Sequence, residues 1–220
     1  MEKADTPLAD VEQRIARACR IAGRDRDDVE LIAISKTHDA EAIAPLLEQG
    51  HRIFGENRVQ EAQAKWPELR ERHGDIQLHM VGQLQSNKAE DAVALFDCIH
   101  ALDRPSLVKA LAKAFDKAER QVPCFIQVDI GEEEQKGGVA IKQLEALIAQ
   151  ARDADIPLLG LMCVPPLEVE PAPYFALLGK LAQDNGLAGL SMGMSGDFET
   201  AIKLGATHLR VGSALFGARD

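Results

Sequence analysis

One lysine stands where its amine could act as a nucleophile. Lys36 closes the apolar run Val29-Glu-Leu-Ile-Ala-Ile-Ser-Lys36, and Thr37 and His38 follow it. At the end of a buried strand an amine is partly desolvated, and desolvation or a nearby cation lowers its pKa. Such an amine attacks carbonyl groups and forms a Schiff base. Position alone favours the alternative, an ordinary solvated lysine at a strand end.

Two later segments could bind a phosphate group. Leu190-Ser-Met-Gly-Met-Ser-Gly-Asp197 and Leu209-Arg-Val-Gly-Ser-Ala-Leu-Phe-Gly217 each place glycines and small hydroxyl residues before a predicted helix. Bare backbone N–H groups at such a place bind phosphate well. Arg210 lies inside an apolar run, and a buried guanidinium needs an acceptor, either a ligand atom or a carboxylate. Pyridoxal 5′-phosphate (PLP) fits an amine, a phosphate cradle and an arginine, and a sugar phosphate cleaved by a lyase fits almost as well.

Other polar residues near predicted strand ends have simpler explanations. Glu56 and Asn57 follow the second apolar run, where asparagine is also a good helix N-cap. His79 lies within an apolar run, which favours a core histidine with a satisfied hydrogen-bond partner. Asp103 precedes Arg104 and Pro105, and we predict that it caps a helix.

These side chains need a scaffold that brings strand ends together. Apolar runs alternate along the whole chain with stretches of helical periodicity, which is typical of a parallel sheet covered by helices. The eight predicted strands are Val29–Lys36, Arg52–Gly55, Gln77–Gly82, Cys98–Leu102, Cys124–Asp129, Leu158–Cys163, Gly189–Met192 and His208–Gly212.

Eight βα units favour an α/β fold with a single (β/α)8 TIM-type barrel, and an open doubly wound sheet is the alternative. In such a barrel, functional residues lie at the C-terminal strand ends, and phosphate often binds after strands seven and eight. An additional N-terminal helix is predicted, with Thr6 as its N-cap, Pro7 as its first residue and Gly23 at its end. We predict one domain over residues 1–220.

Composition argues against several classes of protein. The chain has 25 Lys and Arg against 35 Asp and Glu, a net charge of −10, which disfavours nucleic acid as a partner. No apolar run approaches the ~20 residues that cross a bilayer, and no signal pattern opens the sequence, so we expect a cytoplasmic protein without a membrane partner. The cysteines are far apart without zinc-type spacing, and we expect small buried thiols: Cys19, Cys98, Cys124 and Cys163.

Six ordered segments are highly specific when taken together. They are Ala33–Thr37, Phe54–Glu61, His79–Lys88, Gly160–Pro165, Leu190–Ser195 and Arg210–Gly217. Through them the sequence resembles the YggS/PROSC-type PLP-binding proteins, the PLP homeostasis family, from the first helix to Arg219. The resemblance implies a barrel like the N-terminal domain of alanine racemase, in which Lys36 holds PLP as a Schiff base. It further implies that Arg210 faces the pyridine nitrogen, that Asn57 lies near the cofactor, and that the phosphate is surrounded by Ser191, Gly193, Ser195, Gly212 and Ser213.

The resemblance also implies a non-catalytic role in PLP, vitamin B6 and amino-acid homeostasis, with PLP-using apo-enzymes as acceptors. A racemase needs an acid/base group on each face of its substrate, which in alanine racemase includes a tyrosine from a second domain. The only tyrosine here, Tyr174, falls in a predicted helix. A permanent cation such as Arg210 at the pyridine nitrogen also weakens the ring as an electron sink. The alternatives are a PLP-dependent amino-acid racemase and a PLP-free Schiff-base sugar-phosphate lyase.

Three positions depart from the family pattern. Gln83 stands where many members have proline, and Asp129 and Gly137 stand where many have asparagine and serine. We expect altered loop packing there. The sequence leaves open whether Lys88 or Lys136 offers a second PLP site, and we expect a monomer, with a weak dimer as the alternative.

Overall fold

The computed structural model describes residues 6–133 and 137–217, so Lys136 and Arg219 lie outside the described residues. Its barrel strands are β1 (Glu30–Ile34), β2 (Ile53–Glu56), β3 (Gln77–Met80), β4 (Cys98–Leu102), β5 (Cys124–Asp129), β6 (Leu158–Met162), β7 (Gly189–Ser191) and β8 (His208–Val211). Its α-helices are α1 (Pro7–Ala22), α2 (Ala40–Glu48), α3 (Val59–His73), α4 (Ala89–Leu95), α5 (Pro105–Ala118), α6 (Leu144–Asp153), α7 (Ala172–Asp184), α8 (Phe198–Lys203) and α9 (Ser213–Phe216). Short 3₁₀ turns cover Arg26–Asp28, Ser86–Lys88 and Ile141–Gln143.

The eight strands close into a parallel barrel. They are hydrogen-bonded in the order β4-β3-β2-β1-β8-β7-β6-β5, and β5 pairs again with β4. The two-residue strand Val139–Ala140 pairs with the end of β5 outside this ring. The predicted (β/α)8 barrel is confirmed, and the open-sheet alternative is wrong because the β4–β5 pairing leaves the ring without a free edge.

Helix α1 precedes the barrel as predicted. The Thr6 hydroxyl accepts a hydrogen bond from the backbone N–H of Ala9 at 3.2 Å, and Pro7 is the first helical residue. Gly23 ends the helix with a φ of 66°, a left-handed conformation that glycine adopts without a steric penalty. Capping residues therefore set both ends of α1 locally.

The predicted N-cap Asp103 is wrong by one residue, and so is the capping alternative for Asn57. Helix α5 begins at Pro105 with Arg104 in the N-cap position, and the Asp103 carboxylate accepts a hydrogen bond from the Arg104 guanidinium at 2.5 Å. Helix α3 likewise begins after Arg58, so Asn57 is not its cap. At both N-cap positions the backbone is extended and the side chain makes no capping hydrogen bond. The residue types Arg58 and Arg104 therefore do not indicate where these helices begin.

Alternation along each strand divides the side chains between two layers. Leu31 and Ala33 of β1 point outward and join the core between the barrel and its helices, and the same pattern recurs in the other strands. The alternate set points inward and fills the barrel with buried side chains, several of them polar. The ring of His100 stacks on Phe125 there, with 4.6 Å between the ring centroids.

The four cysteines are buried free thiols, as predicted. Burial raises the pKa of the Cys163 thiol to about 12 and raises those of Cys98 and Cys124 as well. Within residues 6–133 and 137–217, no helix is both long and apolar enough to span a membrane.

Candidate functional site

A cavity of about 410 Å³ opens at the C-terminal ends of the barrel strands. This volume lies within the range of roughly 300–1,000 Å³ that small-molecule sites occupy. Its lining residues come from six strand ends and the loops after them: Ile34, Lys36, Asn57, Val81, Val164, Met194, Ser195, Gly196, Arg210, Gly212 and Ser213. The fold thus brings together the predicted amine, the predicted arginine and much of the predicted phosphate cradle.

Lys36 lies in a tight turn just beyond β1. The strand ends at Ile34, and the backbone N–H of His38 donates to the carbonyl of Ser35 at 3.1 Å to close the turn. Thr37 has a positive φ of 66°, and its backbone N–H donates to the Glu61 carboxylate. The predicted strand was therefore too long by its last residues, because Lys36 is presented by a turn.

A buried polar network fixes that turn from below. The fully buried Glu56 carboxylate accepts hydrogen bonds from the Ser35 hydroxyl at 2.7 Å and from the Trp66 indole N–H at 3.0 Å. The Lys65 ammonium lies 2.7 Å from the same carboxylate. It also donates to the carbonyls of Ser35 at 2.9 Å and His38 at 2.8 Å. Both ends of the turn that carries Lys36 are therefore anchored to one ion pair.

No sequence pattern predicts this network as a whole. Glu56 was expected as a polar group at the barrel mouth, and Lys65 and Trp66 had no predicted role. A weak signal exists, since Lys65 follows Glu61 by four residues on α3 and the two side chains lie 3.7 Å apart. The burial of Glu56 carried no sequence signal, because it depends on how α3 packs against β2.

The loops after β7 and β8 meet at the Ser195 hydroxyl. Its oxygen accepts hydrogen bonds from the backbone N–H groups of Gly212 at 3.3 Å and Ala214 at 3.2 Å. The Asp197 carboxylate holds the first loop by accepting from the backbone N–H of Met194 at 2.6 Å. Two backbone donors therefore already converge on one oxygen atom beside the cavity, an arrangement suited to an anionic oxygen.

The His38 ring joins the lysine turn to this loop pair. It stacks on Phe216 of α9, with 4.4 Å between the ring centroids and 19° between the planes. The turn that carries Lys36 and the helix that follows Gly212 are therefore in direct contact.

Arg210 forms part of the cavity wall while remaining 6% exposed. One terminal nitrogen donates to the Ser191 hydroxyl at 2.6 Å, and the other donates to the carbonyl of Cys163 at 2.7 Å. Burial lowers the pKa of Arg210, yet a guanidinium stays protonated in proteins. These described hydrogen-bond partners are neutral dipoles, so they hold the cation without neutralising it.

Ser191 and Gly193 lie beneath the cavity and are not among its lining residues. Ser191 is fully buried, and its hydroxyl contacts Arg210 and His100. The carbonyl of Gly193 accepts the backbone N–H of Arg210 at 2.9 Å. Gly193 has a φ of 95°, and a Cβ there would lie 2.7 Å from the Cβ of Ala201. Both residues contact Arg210 directly.

Lys88 lines a different groove of about 770 Å³, which adjoins the cavity at Asn57. Its ammonium lies 3.0 Å from the Asp91 carboxylate.

Gly82 borders the same groove, and a Cβ there would lie 2.3 Å from the carbonyl oxygen of Asn57. A glycine at position 82 therefore lets the Asn57 backbone approach the end of β3.

The three departures from the family pattern lie together. Gln83, Asp129 and Gly137 all line one cavity of about 250 Å³, which shares Val81 and Val164 with the larger cavity beside Lys36. A Cβ on Gly137 would lie 1.9 Å from the Gln83 amide nitrogen. The glycine therefore makes room for the long side chain of Gln83.

Comparison with known proteins gives a consistent picture. A family model described as alanine racemase, N-terminal domain, matches residues 7–220. The chain is 38% identical over 222 residues to the pyridoxal phosphate homeostasis protein of Aquifex aeolicus (strain VF5), covering 96% of each chain. It is 36% identical over 230 residues to the protein of the same name from Escherichia coli (strain K12), covering 97% of this chain and 95% of that one.

Among solved structures, PipY of Synechococcus elongatus PCC7942 with PLP bound has a TM-score of 0.83 and 36% identity. The similarity covers 94% of this chain and 100% of that chain. Family model, sequence relatives and structure thus agree over nearly the full length. The chain belongs to the pyridoxal phosphate homeostasis protein family, which is built on the barrel of the alanine racemase N-terminal domain.

Proposed function

We propose that this protein binds PLP in the cavity beside Lys36, holds it as a Schiff base on that residue, and takes part in intracellular PLP homeostasis. The observation that carries the proposal is the convergence of Lys36, Arg210 and the Ser195 loop on one cavity. The names of relatives at 36% and 38% identity, and the PLP bound to PipY, support the same ligand.

The donor set of the cavity fits PLP. The N–H groups of Gly212 and Ala214 already converge on one hydroxyl oxygen, and phosphate oxygens are stronger acceptors for the same donors. Arg210 supplies donors that suit a ring nitrogen with a free lone pair. Bound PLP supplies an aldehyde that condenses reversibly with an amine.

Each of the eight proposed binding residues then has a defined role. Lys36 provides the amine, and Ser195, Gly212 and Ser213 bind the phosphate. Arg210 donates toward the pyridine nitrogen, and Asn57 borders the cofactor. The two buried positions act indirectly, since Ser191 and Gly193 hold Arg210 and the base of the phosphate loop in place. The full set is Lys36, Asn57, Ser191, Gly193, Ser195, Arg210, Gly212 and Ser213.

The proposed function is that of a carrier without catalytic activity. Arg210 is a donor-only cation, so a ring nitrogen that faces it stays unprotonated and draws electrons weakly. Tyr174, the one tyrosine in the sequence, lies in α7 and packs against the helix-covered core. Release of PLP to an acceptor apo-enzyme needs only exchange of the Lys36 amine for another amine.

The test is a visible absorption spectrum of the purified protein with added PLP, followed by borohydride reduction and peptide mapping. We expect a yellow band and a reduced adduct on Lys36. A colourless protein would point to the sugar-phosphate lyase. Exchange of the α-hydrogen of amino acids in heavy water, dependent on Lys36, would point to the racemase.

A further inference from the structure

A chain of hydrogen bonds runs through the barrel interior from Arg210 away from the cavity. Arg210 donates to the Ser191 hydroxyl at 2.6 Å, and that hydroxyl lies 2.8 Å from His100 Nδ1. His100 Nε2 lies 3.0 Å from His79 Nδ1. His79 Nε2 in turn lies 3.8 Å from a carboxylate oxygen of Glu30 at the start of β1. Three hydrogen bonds and one longer contact therefore connect Arg210 in the cavity wall with Glu30 at the opposite end of the barrel.

The hydrogen-bonding rules of these groups fix the direction of the chain. Arginine can only donate, so the Ser191 oxygen accepts from Arg210. Among the described hydrogen bonds of the Ser191 hydroxyl, His100 Nδ1 is the one remaining acceptor for its single hydrogen, which therefore points to that nitrogen. A neutral imidazole carries one N–H, so His100 is protonated on Nε2 and donates to His79 Nδ1. His79 then carries its proton on Nε2, which faces Glu30. Every bond points away from Arg210.

Burial keeps both imidazoles neutral. Ser191 and His100 are 0% exposed and His79 is 4% exposed, so solvent does not compete for these bonds. Desolvation, with a smaller contribution from nearby His208, lowers the pKa of His79 to about 3. Desolvation, the neighbouring histidines and the Arg210 cation lower the pKa of His100 strongly. The single-proton tautomers therefore apply at neutral pH.

We propose that Ser191, His100 and His79 form a fixed-tautomer relay that positions Arg210 for the pyridine nitrogen of PLP. Bonds aligned in one direction polarise one another, and the first of them is strengthened by the charge of the guanidinium. The relay transfers no proton, because Arg210 gives none up. This inference rests on the proposed PLP site, and it assigns positioning roles to residues that do not touch the cofactor.

A metal site is the competing use of the same side chains. The ligand atoms of His79, Cys98 and His100 lie within 4.8 Å of one another. A metal ion would have to displace the proton that the two imidazoles share at 3.0 Å. It would also need the thiolate of Cys98, and burial raises the pKa of that thiol. The geometry therefore favours the hydrogen-bonded relay.

The first test uses PLP-free protein and nuclear magnetic resonance of ¹⁵N-labelled histidine. We expect His79 and His100 each to carry one proton, on Nε2, and to be unchanged by added zinc. A proton on Nδ1 of His100, or zinc-dependent shifts of both rings with one ion bound, would overturn the relay. Because PLP is absent, this result is independent of whether the protein binds PLP at all.

The second test is a double-mutant cycle on the complete protein with PLP. Ser191→Ala removes the first link, and His100→Phe removes the second while keeping a ring to stack on Phe125. We expect each variant to bind PLP about tenfold more weakly. The visible absorption band of bound PLP should also shift, because the Ser191 hydroxyl is either absent or no longer oriented by His100 to accept from Arg210. The double variant should be no weaker than either single one, since both break the same chain.

For the histidine tautomers in PLP-free protein, Ser35→Ala is the matched control for Ser191→Ala, because it also deletes a fully buried hydroxyl near a strand end. It should leave the tautomers of His79 and His100 unchanged. Additive losses in the double variant, or unchanged tautomers and PLP spectra in Ser191→Ala, would overturn the relay. If wild-type protein forms no complex with PLP while the tautomers are as expected, the proposed function fails and the hydrogen-bonded chain stands.

Discussion

Two lysines lie close to the end of β1, one mostly buried beneath the Lys36 turn and one at the cavity. The Lys65 side chain is 9% exposed and its ammonium is shared between the Glu56 carboxylate and two carbonyls of the Lys36 turn. Lys36 instead lines the cavity. A lysine nucleophile needs access to its carbonyl partner, whereas an ammonium surrounded by acceptors is committed to structure. Lys65 therefore supports the turn, and Lys36, which reaches the cavity, is the residue proposed to hold PLP.

Replacing Lys36 tests the proposal that PLP is held covalently on this residue. In Lys36→Ala we expect no PLP adduct in mass spectra after borohydride reduction. PLP should still bind through the phosphate loop, with its affinity lowered at least about tenfold. Lys88→Ala is the control, because Lys88 lines a separate groove, and its adduct should match that of wild type. If Lys36→Ala binds PLP as tightly as wild type, the Schiff base does not contribute to retention.

The buried pair of Glu56 and Lys65 should be costly to break. Lys65→Met leaves the buried Glu56 carboxylate without its cation, and we expect unfolding in urea to show a loss of about 3–5 kcal/mol. Lys180→Met removes a similar pair with Asp184 that is exposed on α7, and it should change stability far less. Equal effects of the two substitutions would mean that the buried pair does not hold the turn.

At the scale of elements, β6 and β7 pair at a point where each strand has a glycine. A Cβ on Gly160 would lie 1.8 Å from the backbone oxygen of Gly189, so the two strands could not keep their register. We expect Gly160→Ala to destabilise the protein by about 3 kcal/mol or more, measured by urea unfolding.

Gly137→Ala is the matched control for Gly160→Ala. Its Cβ would meet only the end of the exposed Gln83 side chain, which can rotate away. We expect a change below about 1 kcal/mol. If Gly137→Ala proved as damaging as Gly160→Ala, the loop around Gln83 would be as rigid as the barrel wall.

At the scale of the whole molecule, the histidines inside the barrel link stability to pH. The folded-state pKa of His79 is about 3 and that of His208 about 4, and His100 is also lowered, chiefly by desolvation. Unfolded histidine titrates near ~6.5. Below that pH the unfolded chain binds protons that the folded protein does not, so stability falls as the pH drops toward 4.

Unfolding in urea at pH 7, 6 and 5 measures this loss. Each histidine contributes up to about 1.4 kcal/mol per pH unit below its unfolded pKa. Glu30, whose pKa burial raises, offsets part of the loss at the acidic end. His100→Phe should reduce the loss of unfolding free energy between pH 7 and pH 5 by the amount that one histidine contributes. Stability that stayed constant from pH 7 to 5 would mean that these rings are protonated in the folded protein.

The sequence by itself determined the barrel, the N-terminal helix and the two loops beside Ser195 and Gly212. These depend on local signals: alternation of apolar strands with helices, capping residues, and small residues after strands seven and eight. It also singled out Lys36 and Arg210, because a charge in or after an apolar strand is conspicuous. Lys36, Asn57, Ser195, Arg210, Gly212 and Ser213 then met at one cavity because parallel strands of a barrel end at the same face.

Only the tertiary structure decided what lies beneath that face. Ser191 and His100 are 91 residues apart in sequence, and their contact depends on ring closure and on the stagger between strands. The burial of Glu56 depends in the same way on the packing of α3. Sequence periodicity predicts which residues of a strand share a face. It does not predict which side chains from other strands they contact inside the barrel. The supporting network therefore follows from the closed geometry, whereas the residues at the mouth could be predicted from the chain.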